Sequence, residues 1–146
     1  MPKFKKSFNI KTRDFIRAGE ASINVQSLLK SMNFDSRLIR RIAICGYESE
    51  MNVVMHGGDG SLTLEVDTDK LVLEVSDDGP GIEDIELAMQ AGYSTANDDQ
   101  REMGFGAGMG LPNMKKNSDQ IYIESRKNQG THVRMFFFLP DGEKTD

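Results

Sequence analysis

Four glycines stand at every second position of the stretch Gly104-Phe105-Gly106-Ala107-Gly108-Met109-Gly110-Leu111, and Pro112 follows it directly. So much glycine is unfavourable inside a strand or helix, because each glycine loses extra entropy on ordering and packs nothing. Such a loop can instead bring its backbone N–H groups close to an anion, and a helix beginning near Pro112 would direct its positive end to the same place. The stretch predicts a phosphate-binding loop unlike a P-loop or a Rossmann turn, with a merely flexible loop as the alternative.

A carboxylate and an amide, Glu48 and Asn52, lie one turn apart on a predicted helix. Apolar residues flank them on both sides, so both polar groups need partners. One amide oxygen together with nucleotide phosphates would suit Mg²⁺, and the carboxylate would remain free to accept a proton. A solvated helix face or a local Glu–Asn hydrogen bond is the alternative. Glu50 points toward the apolar face, and it is the substitute base if the helix register differs.

A second acidic position, Asp77, ends a predicted strand and is followed by Gly79 and Gly81. A carboxylate there can accept a hydrogen bond from an exocyclic amine, and the two glycines leave room for a flat base. Ordinary acidic turn chemistry is the alternative. Thr131 begins the last predicted strand after Gly130 and would add a hydroxyl to the same pocket. The alternative is an ordinary strand start, because β-branched residues begin strands routinely.

The elements that position these residues follow from the apolar periodicity. The pattern predicts a mostly antiparallel sheet with helices layered on one face, which is an α+β fold. The predicted strands are 3–10, 61–67, 71–76, 120–126 and 131–139, and the predicted helices run from Thr12 to about Met32, from Asp35 or Ser36 to about His56, over 85–90 and over 111–117. Residues 91–103 are polar and acidic without an apolar period, so they predict a mobile segment leading into the glycines.

Composition favours one globular domain over residues 1–146, with 38% hydrophobic and 28% charged residues. The sequence contains no apolar run long enough for a membrane and no secretory signal, so we expect a cytoplasmic protein. The single cysteine, Cys45, is predicted to be a core thiol.

Charge is distributed unevenly along the chain. Residues 1–41 hold ten Lys or Arg and three Asp or Glu, whereas residues 42–146 hold eight and twenty. The positive charges have no interleaved aromatic residues, so they favour a protein-docking face over nucleic acid.

In this order the motifs resemble those of the GHKL ATPases, which share the Bergerat nucleotide-binding fold. Glu48 to His56 is similar to the N-box, and Asp77 to Ile82 is similar to the G1 box. Gly104 to Leu111 resembles the G2 box that closes the ATP lid, and Gly130-Thr131 resembles the last nucleotide-contacting motif. The resemblance covers about residues 36–139 and implies an α/β sandwich with a mixed, mostly antiparallel sheet and a mobile ATP lid.

Each motif residue acquires a role from the resemblance. Glu48 would be the general base, Asn52 would coordinate the Mg²⁺ that bridges the phosphates, and Asp77 would read the adenine amine. Arg101 and Lys115 are candidates for the γ-phosphate, with an ordinary surface charge as the alternative for each. The remaining implied nucleotide contacts are Gly79, Gly81, Ile82, Gly104, Gly106, Gly108, Gly110, Leu111 and Thr131.

Among GHKL proteins, the chain resembles most the small bacterial serine kinases and anti-sigma factors of partner-switching pathways. The segment Gly110-Leu-Pro-Asn-Met-Lys115 is closer to the switch kinases that act on stressosome-type scaffolds. This implies a Mg-ATP-dependent serine/threonine kinase whose substrate is a STAS-domain antagonist or scaffold. The alternative is an anti-sigma factor that sequesters an RNA polymerase sigma subunit, with nucleotide selecting the partner.

The resemblance also allows a phosphatase or cyclase as the output protein, and it leaves homodimerisation open. A detached histidine-kinase catalytic domain fits less well, because neither histidine lies in a predicted dimerisation helix pair. An ATPase clamp like those of gyrase or MutL would need long transducing segments.

Overall fold

The computed structural model describes residues 3–56, 58–82 and 110–140. None of the helices within these ranges is both long and apolar enough to cross a membrane. The predicted short helix at 85–90, the predicted mobile segment, and Gly104, Gly106, Gly108 and Arg101 lie outside the described residues. The elements are β1 (Phe4–Ile10), α1 (Glu20–Ser31), α2 (Ser36–His56), β2 (Gly60–Val66), β3 (Lys70–Asp77), α3 (Gly110–Asn117), β4 (Gln120–Ser125) and β5 (Thr131–Phe138).

The five described strands form one sheet in the order β1-β2-β3-β5-β4, and every neighbouring pair is antiparallel. The hairpin of β2 and β3 was predictable because its apolar residues alternate, which places them on one face of the sheet. Leu64 pairs with Leu73 in this hairpin, and both side chains are fully buried. The α+β fold expected from the sequence is therefore confirmed.

The long helix α2 crosses the buried face of the sheet and has the bounds that the sequence predicts. A Cβ atom at Gly46 would lie 3.7 Å from the Leu73 side chain and 3.4 Å from Ser22 Oγ, so α2 is packed closely between β3 and α1. Ile42 is completely buried in the same apolar core. Burial of such a side chain contributes about 1.5–3 kcal/mol, so this core fixes the position of α2.

The first helix begins later than the sequence predicts. The predicted helix starts at Thr12, whereas α1 starts at Glu20, after Gly19 in the left-handed region with φ 100°. The Thr12 backbone N–H donates instead to Asp59 Oδ1 at 3.0 Å, and the apolar side chain of Ile16 is 97% exposed. The prediction of a helix over 12–19 is therefore wrong.

A distant carboxylate decides where α1 begins. Glu50 of α2 is only 3% exposed, and it accepts hydrogen bonds from the backbone N–H groups of Gly19, Ala21 and Ser22 at 3.0, 3.2 and 2.9 Å. The Ser22 hydroxyl donates to the same carboxylate at 2.8 Å. Because the first N–H groups of a helix have no partner within it, and because its N-terminus carries positive partial charge, a buried carboxylate here caps the helix in place of a local side chain.

The single cysteine is a core thiol, as predicted. Cys45 is completely buried in α2, and its burial raises the pKa of the thiol to about 12. A buried thiol with so high a pKa is unreactive as a nucleophile at neutral pH.

Candidate functional site

Glu48 lies in α2 with a half-buried side chain that faces α3. Asn113, in the first turns of α3, donates from Nδ2 to Glu48 Oε2 at 3.0 Å. Among the described residues, no donor contacts the other oxygen, Oε1. The carboxylate is therefore held through one oxygen, while the other remains available to accept a proton.

Asn52 is also half-buried and lies one turn after Glu48, beside the first residue of α3. A Cβ atom at Gly110 would lie 3.3 Å from Asn52 Oδ1 and 3.5 Å from Nδ2. A side chain at this position would require the Asn52 amide to move by a few tenths of an ångström, so glycine lets the positive end of α3 lie directly against that amide. The structure thus gathers three of the predicted residues, Glu48, Asn52 and Gly110, at one place.

The position of α3 is fixed by its apolar side. Leu111 is 7% exposed and Met114 is completely buried, and both belong to the apolar core. Leu111 therefore anchors the first turn of α3 behind the polar groups. Lys115 lies on the exposed side of the last turn.

Asp77 is the last residue of β3 and is half-buried. Loss of solvation raises the pKa of its carboxyl, and the neighbouring Asp78 adds to the rise. The Gly79 backbone N–H donates to Oδ1 at 2.9 Å and opposes this effect. A carboxylate that is partly withdrawn from water in this way gains from a further hydrogen-bond donor, such as an amine on a ligand.

The loop after β3 is joined closely to the turn between β4 and β5. Gly81 has φ 79°, and a Cβ atom there would collide with the carbonyl oxygen of Arg126. Gly130 has φ 81°, and a Cβ atom there would collide with the carbonyl oxygen of Asp77. The Asn128 backbone N–H donates to the Pro80 carbonyl at 2.6 Å. These contacts need glycine at both positions, and they set the loop beside the Asp77 carboxylate.

Ser125 connects the same loop to Thr131, and sequence reasoning missed it. Its hydroxyl accepts from the Ile82 backbone N–H at 2.7 Å and donates to the Gly130 carbonyl at 3.1 Å. Because a hydroxyl has one proton, Thr131 is then the donor in its 2.8 Å hydrogen bond with Ser125. Thr131 also pairs with Asp77 in the register of β3 and β5, so the predicted residues Asp77, Gly79, Gly81, Ile82 and Thr131 lie together.

The Glu48 group and the Asp77 group lie at the same end of the fold. Only residues 57–59 connect the end of α2 to β2, and the first residue of β2, Gly60, pairs with Asp77. Asn52 lies about one turn before the end of α2, so it is near this end as well. The described residues contain no group of three or more His, Cys, Asp or Glu side chains that could hold a metal ion.

Asn113 is the second residue that sequence reasoning missed. It lies just after the glycine-rich stretch, in a helix that the sequence predicts, so its position was visible. Its contact with Glu48 depends on how α3 packs against α2, and neither residue indicates the other along the chain.

Residues 47–142 match the family described as histidine kinase-, DNA gyrase B-, and HSP90-like ATPases. The chain belongs to this ATPase family, which confirms the resemblance to GHKL proteins and implies an ATP-binding domain.

Two kinds of relative are similar to the chain. An anti-sigma F factor of Thermoanaerobacter sp. (strain X514) is 38% identical over 97 residues, which are 63% of this chain and 64% of that protein. The serine/threonine-protein kinase RsbT of Bacillus subtilis (strain 168) is 28% identical over 130 residues, which are 86% of this chain and 90% of that protein. The match to the anti-sigma factor thus spans somewhat less than two thirds of its length, whereas the match to the kinase is nearly complete.

Proposed function

We propose that this protein is a Mg-ATP-dependent serine/threonine kinase that phosphorylates a STAS-domain antagonist or scaffold in a bacterial partner-switching pathway. The observation that carries the proposal is the half-buried Glu48 carboxylate, held by Asn113 through one oxygen and open at the other, beside Asn52 and the start of α3. The similarity to a named serine/threonine kinase over 86% of the chain supports it. The proposed location is the cytoplasm, where ATP is available.

The described residues fit Mg-ATP. Asp77 would accept a hydrogen bond from the adenine amine, and the loop that contains Gly79, Gly81 and Ile82 would border the base beside Thr131. The Asn52 amide oxygen would be the protein ligand of Mg²⁺, and the backbone at Gly110 would face the phosphates at the positive end of α3. Gly104, Gly106 and Gly108, outside the described residues, are proposed to complete the phosphate contacts. When bound, Mg-ATP supplies the phosphoryl group, and its metal neutralises charge on the phosphates.

The proposed base is Glu48, which would accept the hydroxyl proton of a serine or threonine in the partner through Oε1. Glu50 is less suited to this role, because four hydrogen bonds from the start of α1 occupy both of its oxygens. Asn113 would keep the Glu48 carboxylate in a fixed orientation.

The test is direct phosphate transfer to defined acceptors. The protein is incubated with Mg²⁺ and radiolabelled ATP together with each recombinant STAS-domain protein of the source genome, and labelled residues are mapped by mass spectrometry. We expect phosphoserine or phosphothreonine on at least one of these proteins. If the protein binds ATP and no STAS-domain protein gains phosphate, the kinase proposal is wrong.

A second candidate function is supported by the 38% identity to an anti-sigma F factor. In this reading the chain sequesters an RNA polymerase sigma subunit, and the bound nucleotide selects between the sigma subunit and its antagonist. Co-elution of the protein with a recombinant sigma subunit in ATP, and weaker association in ADP, would support this role. The two functions are compatible, because one chain can bind a sigma subunit and phosphorylate the antagonist.

A further inference from the structure

A groove of about 840 Å³ runs between α1 and α2 and reaches the candidate site. One end lies where the two helices are joined, and Lys30 of α1 and Arg40 of α2 line it there. Its other end contains Glu48 and Asn113, the hydrogen-bonded pair of the candidate site. The groove therefore leads directly to the proposed base from outside the nucleotide-binding motifs.

The outer end of the groove is cationic. Lys30 and Arg40 are exposed, and neither forms an ion pair or side-chain hydrogen bond with any residue in the described ranges. Among the described residues that line the groove, Glu48 alone is anionic, and it lies at the opposite end. A ligand that carries negative charge at the outer end would thus meet two cations that have no ion-pair partner among the described residues. It would also keep that charge away from the Glu48 carboxylate.

The middle of the groove is apolar. Ala43 and Ile44 line it and are only partly buried, and the neighbouring Tyr47 is 45% exposed. Tyrosine rings that remain exposed are frequent anchors at protein interfaces, because they bury a large area at low entropy cost. A polar small molecule would leave this surface uncovered, whereas a protein segment with an apolar side chain would cover it.

We propose that this groove docks the protein substrate through an acidic segment that also carries an apolar side chain. This inference rests on the kinase function proposed above. Arg40 and Glu48 are eight residues apart on α2, so at 1.5 Å per residue their Cα atoms are separated by roughly 12 Å along the helix axis. The acidic side chain of the substrate therefore lies about 12 Å from the acceptor hydroxyl, which is three to four residues in an extended segment.

The experiment uses charge reversal at the outer end of the groove. The variant Lys30→Glu/Arg40→Glu is compared with the wild-type protein for transfer to the STAS-domain protein that the wild type phosphorylates. The matched control is Lys3→Glu/Lys11→Glu, which makes the same change in net charge at two exposed positions that flank β1. Far-UV circular dichroism and urea unfolding confirm that the variants fold. The neutral variant Lys30→Gln/Arg40→Gln is measured in parallel, and it replaces the charge-reversal variant if that variant does not fold.

We expect the KM for the protein substrate to rise on the order of tenfold in the groove variant, because two attractive contacts become repulsive. The expected kcat at saturating substrate and the ATP affinity stay within about twofold of wild type, and the control variant matches wild type. Added salt should raise the wild-type KM more than that of the neutral variant, because screening weakens exposed charge pairs. Replacing the acidic residue of the substrate by lysine should lower the KM of the groove variant.

Two failures can be told apart. If the wild-type protein transfers phosphate to no STAS-domain protein, the proposed function fails. If transfer occurs and the groove variant keeps the wild-type KM, or the control variant loses as much, the docking groove is wrong while the kinase function stands. If the groove variant loses ATP affinity by the same factor as its KM for the protein substrate rises, the groove belongs to the nucleotide site, and the docking proposal is overturned.

Discussion

The buried carboxylate of Glu50 allows a sharp test of how the first helix is positioned. The substitution Glu50→Gln keeps the size of the side chain but replaces one carboxylate oxygen by an amino group. Each oxygen now accepts two hydrogen bonds, one from Gly19 and Ala21 and the other from the Ser22 amide and hydroxyl. Glutamine can satisfy one of these pairs, and its amino group then faces the donors of the other.

The expected loss of stability follows from these contacts. Two hydrogen bonds to a charged acceptor, each contributing about 1.5–3 kcal/mol, are lost. The favourable charge at the start of α1 is lost as well, and such a charge contributes up to about 2 kcal/mol in a partly buried site. The neutral glutamine side chain avoids the cost of burying a charged carboxylate, and this gain offsets several kcal/mol of the sum. We therefore expect Glu50→Gln to lower the free energy of unfolding by about 3 kcal/mol.

Urea unfolding followed by far-UV circular dichroism, without nucleotide, measures this loss. The matched control is Glu48→Gln, the same chemical change two residues earlier in the same helix. Glu48 is only half-buried, and among the described residues it accepts one hydrogen bond, from Asn113, so its substitution should cost about 1 kcal/mol or less. Equal losses in the two variants, or a loss below about 1 kcal/mol for Glu50→Gln, would refute the role assigned to Glu50.

Other expectations concern Asp77, Cys45 and Gly130. Desolvation raises the pKa of Asp77 above 3.8, so its contribution to stability is full at lower pH and is lost as pH rises through the folded-state pKa. Urea unfolding of Asp77→Asn without nucleotide at pH 7 should therefore give a free energy of unfolding equal to or higher than that of the wild type. Calorimetry should show ATP binding weakened by about 1.5–3 kcal/mol, and unchanged affinity would contradict the adenine role of Asp77. With its pKa raised to about 12, Cys45 should react with a thiol reagent at pH 8 at least about 100-fold more slowly in folded protein than in urea. Gly130→Ala should lower the free energy of unfolding by about 2 kcal/mol or more, because a Cβ atom would collide with the Asp77 carbonyl, and wild-type stability would refute this.

Local patterns in the sequence predicted most of the fold. The bounds of α2 and the pairing of β2 with β3 follow from apolar periodicity and from strong stop signals such as the glycines after His56. The start of α1 did not follow, because Thr12 has the side chain of a helix cap. The start is determined instead by Glu50, which lies 28 to 31 residues beyond the backbone N–H groups that it accepts from. Long-range capping of this kind leaves no local pattern.

In the candidate site, too, the residues that have a meaning within one element could be predicted, and those whose contacts join distant elements could not. Glu48, Asn52 and Asp77 were identifiable because their residue types and spacing have a chemical meaning within one element. Asn113 and Ser125 were missed because their contacts depend on the packing of α3 and on the register of β4 with β5. The sequence thus indicated which groups carry the proposed chemistry but not which groups orient them.

The central claim is that Glu48 serves transfer of the phosphoryl group and not nucleotide binding. The most direct measurement is a single-turnover transfer assay on Glu48→Gln with a saturating STAS-domain substrate, combined with calorimetric titration of ATP. We predict ATP affinity within about twofold of wild type and a transfer rate lower on the order of 100-fold or more. A wild-type transfer rate in this variant would contradict the assignment of Glu48 as the base.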